Sequence, residues 1–554
     1  MKRDFNRLKE ENFDLIVVGG GIIGAGIARD ASLRGLHTLL VEKEDFAYGT
    51  TSRSTRLIHG GLRYLRTMQF KLVRNDLIER KILLRIAPHL VHELRFVIPA
   101  LRSEPFYRYM LHLGLTLYDI MATGYTLHRW RHLSQKETLR QEPGLAKIDD
   151  LTGSFLYYDC QAEYMERLCI ENVLSAADKG ACILNHAMAT ELLMEGDKVS
   201  GIGIRDTLTG DDYTANGRMV INAGGHWADL VWQEFYVINK DKLRRTKGIH
   251  LFTKKVSENA LVLFAKSDGR LFFVVPWGDY SLIGTTDTDY TGDPDAVYAT
   301  ASDVKYLVTE MRHYFSGFSE ADVYYAMAGL RPLVASENKA ASNTSRAHRL
   351  VDHELENGIK GFITVLGGKI TAYRGIAEEV TNLVCKKFKK HVPCTTAHIQ
   401  LQGMPAVHSQ DIEKAAQQYN LPPTTVKYLV DLYGARFTQV LNYVNDDKRL
   451  GNPICDGGPD IIAQIQYAID EESAMTLSDF LLRRTNIGWS PMQGRDAIEA
   501  VASEMGLLLG WSVWERQKQI DKYHDFLGLC QRFRTEDLKV READKNPTFR
   551  ISSN

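Results

Sequence analysis

What the sequence lacks narrows the field first. No apolar run reaches the ~18 residues that a membrane-crossing helix needs, so no spanning segment is expected. The opening stretch, MKRDFNRLKEENFD, is polar and carries no apolar core of the secretory-signal kind. Cysteine is scarce: seven residues, an odd number, with no C-x-x-C pair among them. A disulfide framework or zinc site is therefore not expected, and a reducing, cytoplasmic compartment is. Excess charge is missing too, since the net charge is −1, which gives no support to nucleic-acid binding. No internal repeat or low-complexity segment is apparent. What remains is ordinary globular composition, 44% hydrophobic and 25% charged, in a 554-residue chain. That length is enough for roughly three to four domains' worth of core.

The most informative stretch is Asp14–Glu42, DLIVVGGGIIGAGIARDASLRGLHTLLVE. An apolar run, Leu15 to Val18, enters a glycine turn; a helical pattern follows, and a second apolar run ends at Glu42. Gly19, Gly21 and Gly24 stand at the G-x-G-x-x-G spacing. The first glycine suits a tight turn, the second a close approach of backbone to a pyrophosphate, the third close helix–strand packing. Phosphates would then sit at the helix N-terminus, where free N–H groups and the dipole favour anions. Glu42 lies where a carboxylate accepts the 2′-hydroxyl of an adenosine ribose. Strand, turn, helix, strand and acid together predict dinucleotide binding, and the acid disfavours NADP.

The rest of the chain reads in order. Thr50–Thr55 is a hydroxyl-rich run broken by Arg53, followed by Arg56 and then His59-Gly60-Gly61 leading into Leu62-Arg63-Tyr64. A loop so rich in hydroxyls, glycine and arginine suits contacts with phosphate and a planar ring. Helical periodicity runs from about Phe70 to Ala87, and Leu94–Leu101 reads as a strand. Phe106–Met121 reads as a helix, followed by the loop GYTLHRWRHL. Its tyrosines and leucines, with Trp130 and the Arg129/Arg131 pair, make it the candidate for a lipid interface. Alternating segments over Ala181–Leu193 and Lys198–Asp206 read as a sheet add-on, and Met219–Ala223 as a strand entering Gly224-Gly225-His226-Trp227. A strand-rich stretch begins at Lys247 and contains a hairpin around Trp277–Tyr280. Gly361–Gly368 is a strand running into Lys369-Ile370-Thr371 and a helix. From about Gln400 the pattern turns helical, with one helix over Arg495–Lys522 and a polar tail after Asp537.

The motifs VVGGGIIGAGIARDAS, STRLIHGGLRYL, VINAGGHWAD, IGTTDTDY, AGLRPL and GGKITAYR resemble those of the FAD-dependent glycerol-3-phosphate dehydrogenases, within the broader D-amino-acid-oxidase-like group. The resemblance implies an α/β fold (α+β in the substrate part). It would comprise a Rossmann-like FAD-binding domain, a D-amino-acid-oxidase-like substrate domain and a C-terminal all-helical domain. The implied segments are 12–80, 151–230 and 326–400 for FAD binding, 81–150 and 231–325 for the substrate part, 401–540 for the helical domain and 541–554 for a polar tail. It also implies non-covalent FAD held by Gly19, Gly21, Gly24, Glu42, Ser54, Thr55, Arg56, His59, Gly60, Gly61, Ala223, Gly224, Gly368, Lys369, Ile370 and Thr371. Glycerol 3-phosphate would be oxidised to dihydroxyacetone phosphate, and the electrons passed to a membrane quinone at an anionic lipid surface. The protein would be peripheral on the cytoplasmic face of the plasma membrane, and a homodimer stays open.

A phosphate dianion needs fixed cations, for which planar guanidinium groups suit best. Arg63, Arg331 and Arg346 stand at family positions for that work, with Lys369 beside them and Arg349 competing with Arg346. Loss of a hydride from carbon also requires a base for the hydroxyl proton, and His250 is the candidate. The catalytic set is thus His250, Arg331 and Lys369, and the substrate set Arg63, Tyr64, Arg331, Arg346 and Lys369. Tyr64, Thr285 and Thr286 would wall the ring from water. The rival enzyme reading is a glycerol-3-phosphate oxidase using dioxygen and releasing hydrogen peroxide. Its family members generally carry a mid-chain insertion, and none is seen between Trp227 and Arg331. A hydroxy-acid or amino-acid oxidase would need one arginine for a carboxylate and not a cluster. A flavin-binding regulator would need no cluster at all.

Overall fold

The computed structural model describes residues 1–235, 243–334, 347–401 and 407–545. The chain divides into two compact units. The first comprises residues 1–92, 160–245 and 331–520; the second comprises 93–159, 246–330 and 521–554.

In the first unit, Leu15–Val18 and Thr38–Val41 are buried at every position, as the near-continuous apolar runs of a two-side-covered parallel sheet require. They pair in parallel, Leu15 opposite Thr38 through Val18 opposite Val41. The sheet has six strands in the order Arg349–Asp352, Phe362–Leu366, Val220–Asn222, Leu15–Val18, Thr38–Val41 and Cys182–Leu184. Only the Arg349–Asp352 edge is antiparallel to its neighbour. The crossover helix Ile22–Leu33 starts at Gly21 and ends before Gly35, whose φ of 73° stops it. A second helix, Tyr373–Lys387, packs so closely on it that a Cβ at Gly26 would lie 2.9 Å from the Tyr373 ring. A four-stranded sheet in the order Asn12–Phe13, Asp212–Gly217, Lys198–Asp206 and Ala187–Glu195 forms the add-on.

The helical segment expected over 401–540 belongs to this unit up to Ile520. Its core gathers Val426, Leu429, Tyr433, Val440, Leu441 and Tyr467. Arg495–Lys522 is two helices and not one: Ile498–Leu509 ends at Gly510, in the left-handed region at φ 70°, and Val513–Lys545 follows. That last helix runs on past Asp537, where a polar tail was expected, because Glu, Lys, Arg and Ala there are good helix formers.

The second unit is built on an antiparallel sheet. Ala260–Phe264, Leu271–Trp277 and Tyr280–Gly284 form a meander, and Tyr280–Gly284 pairs with Leu243–Lys254. Its core joins Val97, Leu133, Leu156, Leu251, Val274 and Met311. Arg131–Ser134, read from sequence as loop, is a strand paired antiparallel with Gly153–Leu156. No helix among the described residues is long and apolar enough to cross a membrane.

Candidate active site

The glycine fingerprint can be tested one position at a time. Gly19 has φ 112°, and a Cβ on it would lie 2.6 Å from the Ala223 carbonyl oxygen. A Cβ on Gly24 would come within 1.8 Å of the Gly19 carbonyl oxygen. Both glycines are therefore demanded by the protein's own packing. Gly21 differs. Its φ is −71°, and a Cβ there would meet only Thr51 Oγ1 at 3.6 Å, an ordinary contact. The side chain it omits would stand in a cavity of about 160 Å³ lined by Gly19, Gly21, Glu42, Thr50, Thr51, His226 and Lys369, among others. A cradle of this kind fits a dinucleotide whose phosphates approach the backbone.

The loops around the cavity are held from several sides. Thr51 Oγ1 accepts the Ile22 N–H at 3.1 Å, capping one free amide of the fingerprint helix. The Glu42 carboxylate accepts from Gly20 N–H at 2.6 Å and from Glu44 N–H at 3.0 Å. Burial pushes its pKa up, although those two N–H donors favour the charged form. Each oxygen still has a lone pair for a ribose hydroxyl. Ser54 accepts the Arg56 N–H, and Thr371 Oγ1 accepts the His59 N–H at 3.1 Å while facing the His59 carbonyl at 3.3 Å. Thr55 and Gly60 complete that loop. On the far strand ends, Gly224 N–H is held by Asn222 Oδ1 at 3.0 Å. Gly368 has φ 113°, a conformation open to glycine, and it lines the cavity with Ala223, Gly224, Lys369 and Ile370.

Beside this cavity the same unit assembles a group of cations on one ring. The Arg63 guanidinium lies 4.8 Å from the Tyr64 ring centre and donates to the Tyr64 hydroxyl at 2.9 Å. The Lys369 ammonium lies 4.6 Å from the same ring centre and pairs with the buried carboxylate of Asp76. Gly61 permits this: a Cβ there would lie 2.5 Å from the Tyr64 ring and 3.1 Å from Lys369 Nζ. The cluster's field is felt by His59. Burial first, and then Lys369, Arg63 and Arg80, hold its pKa well below the usual imidazole value. Two cations with one carboxylate between them leave a net positive spot suited to a phosphate.

The remaining expected residues fall as follows. Arg331 is half-buried, next to Pro332, which lines the cavity. His250 lies in the second unit, in the strand Leu243–Lys254, opposite Gly284. A Cβ on Gly284 would lie 2.7 Å from the His250 ring, so the glycine makes room for the imidazole. Thr286 Oγ1 accepts the Ile249 N–H at 3.1 Å. Arg346 lies outside the described residues.

Arg56 departs from the expected arrangement. Its fully buried guanidinium grips both oxygens of Glu166, at 2.6 and 2.7 Å, and lies 5.6 Å from the Trp489 ring centre. A guanidinium so committed holds the fold together, while the Arg56 N–H donates to Ser54 within the loop. Sequence reasoning missed Asp76 and the bidentate Glu79–Arg374 pair, whose bonds are 2.7 and 2.5 Å. A signal existed: Asp76, Glu79 and Arg80 sit on the buried face of Phe70–Ile86 with Val73, Leu77 and Leu83, where unpaired charges are too costly to persist.

Fold and cavity together define a flavoprotein-type dinucleotide-binding oxidoreductase. The family model for FAD-dependent oxidoreductases matches residues 14–374, and that for the C-terminal domain of alpha-glycerophosphate oxidase matches residues 394–516. The chain is 37% identical over 545 residues to a glycerol-3-phosphate dehydrogenase of Synechocystis sp., covering 95% of this chain and 98% of that one. It is 34% identical over 526 residues to an aerobic glycerol-3-phosphate dehydrogenase of Staphylococcus haemolyticus, covering 91% and 92%. Among solved structures, the glycerol-3-phosphate dehydrogenase of Bacillus halodurans complexed with FAD superposes with a TM-score of 0.78 at 29% identity, over 95% of this chain and 96% of that one. The chain belongs to the FAD-dependent oxidoreductase family and, within it, to the glycerol-3-phosphate dehydrogenases. Its cofactor is FAD.

Proposed function

We propose that the protein oxidises sn-glycerol 3-phosphate at its secondary alcohol to dihydroxyacetone phosphate and delivers the electrons to a quinone held in a membrane. The observation that carries this reading is the Arg63–Tyr64–Lys369 cluster, in which Lys369 also lines the dinucleotide cavity. FAD supplies the hydride-accepting ring. The chain's part is to bind, orient and deprotonate. Arg63 and Lys369 attract the phosphate dianion, Arg331 and Arg346 add guanidinium groups at the family's positions, and Tyr64 shields one side with an aromatic face. An imidazole is the side chain suited to accept a proton at neutral pH, and His250 fills that role. Substrate names carried by the relatives point the same way.

The test is anaerobic. Glycerol 3-phosphate should bleach the visible flavin absorbance of the purified protein, while glycerol and simple 2-hydroxy acids should not. Bleaching by the acids and not by the phosphate ester would overturn the assignment. Re-oxidation of the bleached protein by a quinone analogue much faster than by dioxygen separates the dehydrogenase from the oxidase. Acid precipitation should leave the flavin in the supernatant, as a non-covalent cofactor requires.

Docking on the lipid that holds the quinone falls to the helix Pro105–Met121. Phe106, Tyr109, Leu113 and Ile120 are 75%, 65%, 52% and 62% exposed and recur at helical spacing along it. The segment carrying Trp130 lies against this helix, through the Trp130 N–H bonded to Asp119 at 3.1 Å and the Trp130–His112 ring contact at 4.7 Å. Trp130 itself is half-buried, packed also on Phe155, so the apolar anchors are the helix residues. Arg129 and Arg131, both exposed, supply charge toward anionic headgroups, each contributing on the order of 1 kcal/mol. Changing Phe106, Tyr109 and Leu113 together to Ser should abolish most binding to anionic vesicles and leave turnover with a soluble dye intact. Wild-type binding should weaken as salt rises. Unchanged vesicle binding in the triple variant would remove this helix from the role.

A further inference from the structure

After the strand Val220–Asn222 the chain makes a short turn, Gly225–Trp227, that presents an unusual histidine. His226 is 2% exposed, yet it lines the same cavity as Gly21, Glu42 and Thr50. Its Nδ1 lies 3.1 Å from Thr50 Oγ1, and its carbonyl accepts from Arg245 Nε at 2.7 Å. The ring lies 3.7 Å from that of Trp227 and close over Gly49, where a Cβ would reach to 3.4 Å of it. Nε2 has no hydrogen-bond partner among the described residues. A buried polar nitrogen in this condition calls for an explanation, and a ligand is one.

The Thr50 contact is compatible with the Nε2–H tautomer. With the hydroxyl donating to Nδ1, the ring proton sits on Nε2, so the unpartnered atom is a donor. The charge state follows from the surroundings. Burial, then Arg53, Arg245 and Lys43, disfavour the imidazolium and hold its pKa well below the usual value. Asp229, on the helix that follows this turn, is paired with Arg245. A neutral donor ringed by Lys43, Arg53 and Arg245 seeks an anionic acceptor. Thr50 is joined in sequence to Thr51, which caps the first amide of the fingerprint helix, and that helix end is where a diphosphate sits.

We propose that the Nε2–H of His226 donates a hydrogen bond to the diphosphate bridge of FAD, with Thr50 fixing the tautomer. The inference rests on FAD occupying this cavity. It makes His226 a positioning residue for the cofactor, and no proton moves.

The test measures FAD release from the full-length holoenzyme on dilution, and its displacement by ADP or adenosine. His226→Phe keeps a ring against Trp227 and removes the donor. It should raise the FAD dissociation constant by about 10- to 100-fold, the range of a hydrogen bond to a charged group. It should weaken ADP by a similar factor and leave adenosine unchanged. His226→Gln, which retains an N–H donor, should recover most of the loss. Wild-type affinity should be flat from about pH 6 to about pH 9, because the neutral form prevails throughout. Equal weakening of adenosine, or a Gln variant no better than Phe, would reduce His226 to packing and overturn the proposal. Should the Phe variant fail to fold, His226→Met, also without a donor, takes its place in the comparison. Failure of ADP to displace FAD at all would instead refute the placement of FAD in this cavity.

Discussion

Lys369→Met should lower kcat/KM for glycerol 3-phosphate by about 100-fold, the worth of one charge-assisted hydrogen bond to the phosphate. The same change should destabilise the protein. Lys369 is the ion-pair partner of Asp76, whose side chain is fully buried on the helix Phe70–Ile86. Removing one member of a buried pair costs about 3–5 kcal/mol, since the other keeps a buried charge that has lost its ion-pair partner. These two losses separate in a double-mutant cycle. Asp76→Asn added to Lys369→Met removes the buried carboxylate whose Lys369 partner is gone and should restore much of the lost stability, while activity on the phosphate ester stays low. Activity on unphosphorylated glycerol, however small, should fall far less than activity on glycerol 3-phosphate. If the double variant recovers both stability and activity, Lys369 serves the fold and the phosphate is held elsewhere.

The residues most legible in the sequence are those whose roles are local. The fingerprint glycines and Glu42 fall within one strand–helix–strand unit, where spacing alone fixes geometry, and the structure joins Glu42 to the Gly20 amide at 2.6 Å. Asp76 and Lys369 are 293 residues apart, and Asp45 and Arg484 are 439 apart. No spacing rule connects such partners. What sequence does offer is a charge on an apolar helix face, and that clue says a partner exists without naming it. Arg56 illustrates the converse. In a loop of hydroxyls and glycine an arginine reads as a ligand contact, yet Glu166, on another helix, claims it. The half-buried setting of Trp130 escapes a sequence reading for a related reason. Pairing of Arg131–Ser134 with Gly153–Leu156 turns its indole against Phe155, and a four-residue strand of mixed polarity carries little periodic signal.

Arg484→Met should be the most destabilising single change in the helical segment, at about 3–5 kcal/mol, and should also loosen FAD. Arg484 and Asp45 are both fully buried, and the guanidinium donates to the two carboxylate oxygens at 2.7 and 2.9 Å. Asp45 stands three residues beyond Glu42 and also accepts from Arg483 at 2.7 Å and from Asn185 at 2.8 Å. Arg483 in turn binds Asp479 at 2.6 Å, and Asp479 binds His186 at 2.8 Å. The loop that carries Glu42 is thus clamped by the turn Phe480–Arg484 of the helical segment. Burial alone would push the Asp45 pKa up, but Arg484 and Arg483 outweigh it and hold the carboxyl below its usual value. A carboxyl depressed in the folded state adds stability above its unfolded pKa, about 3.9, and loses it as pH falls through the folded value. In the Met variant one of those two cations is gone and the Asp45 pKa rises. The stability gap between wild type and variant, read by denaturant unfolding, should therefore be full at neutral pH and narrow as pH drops below about 4. FAD release on dilution should be faster in the variant at neutral pH. Arg484→Lys keeps the charge but not the fork, so it should show a smaller loss with the same pH trend. A gap that stays constant with pH would assign the loss to packing and not to the ion pair, and unchanged FAD release would free the cofactor loop from this clamp.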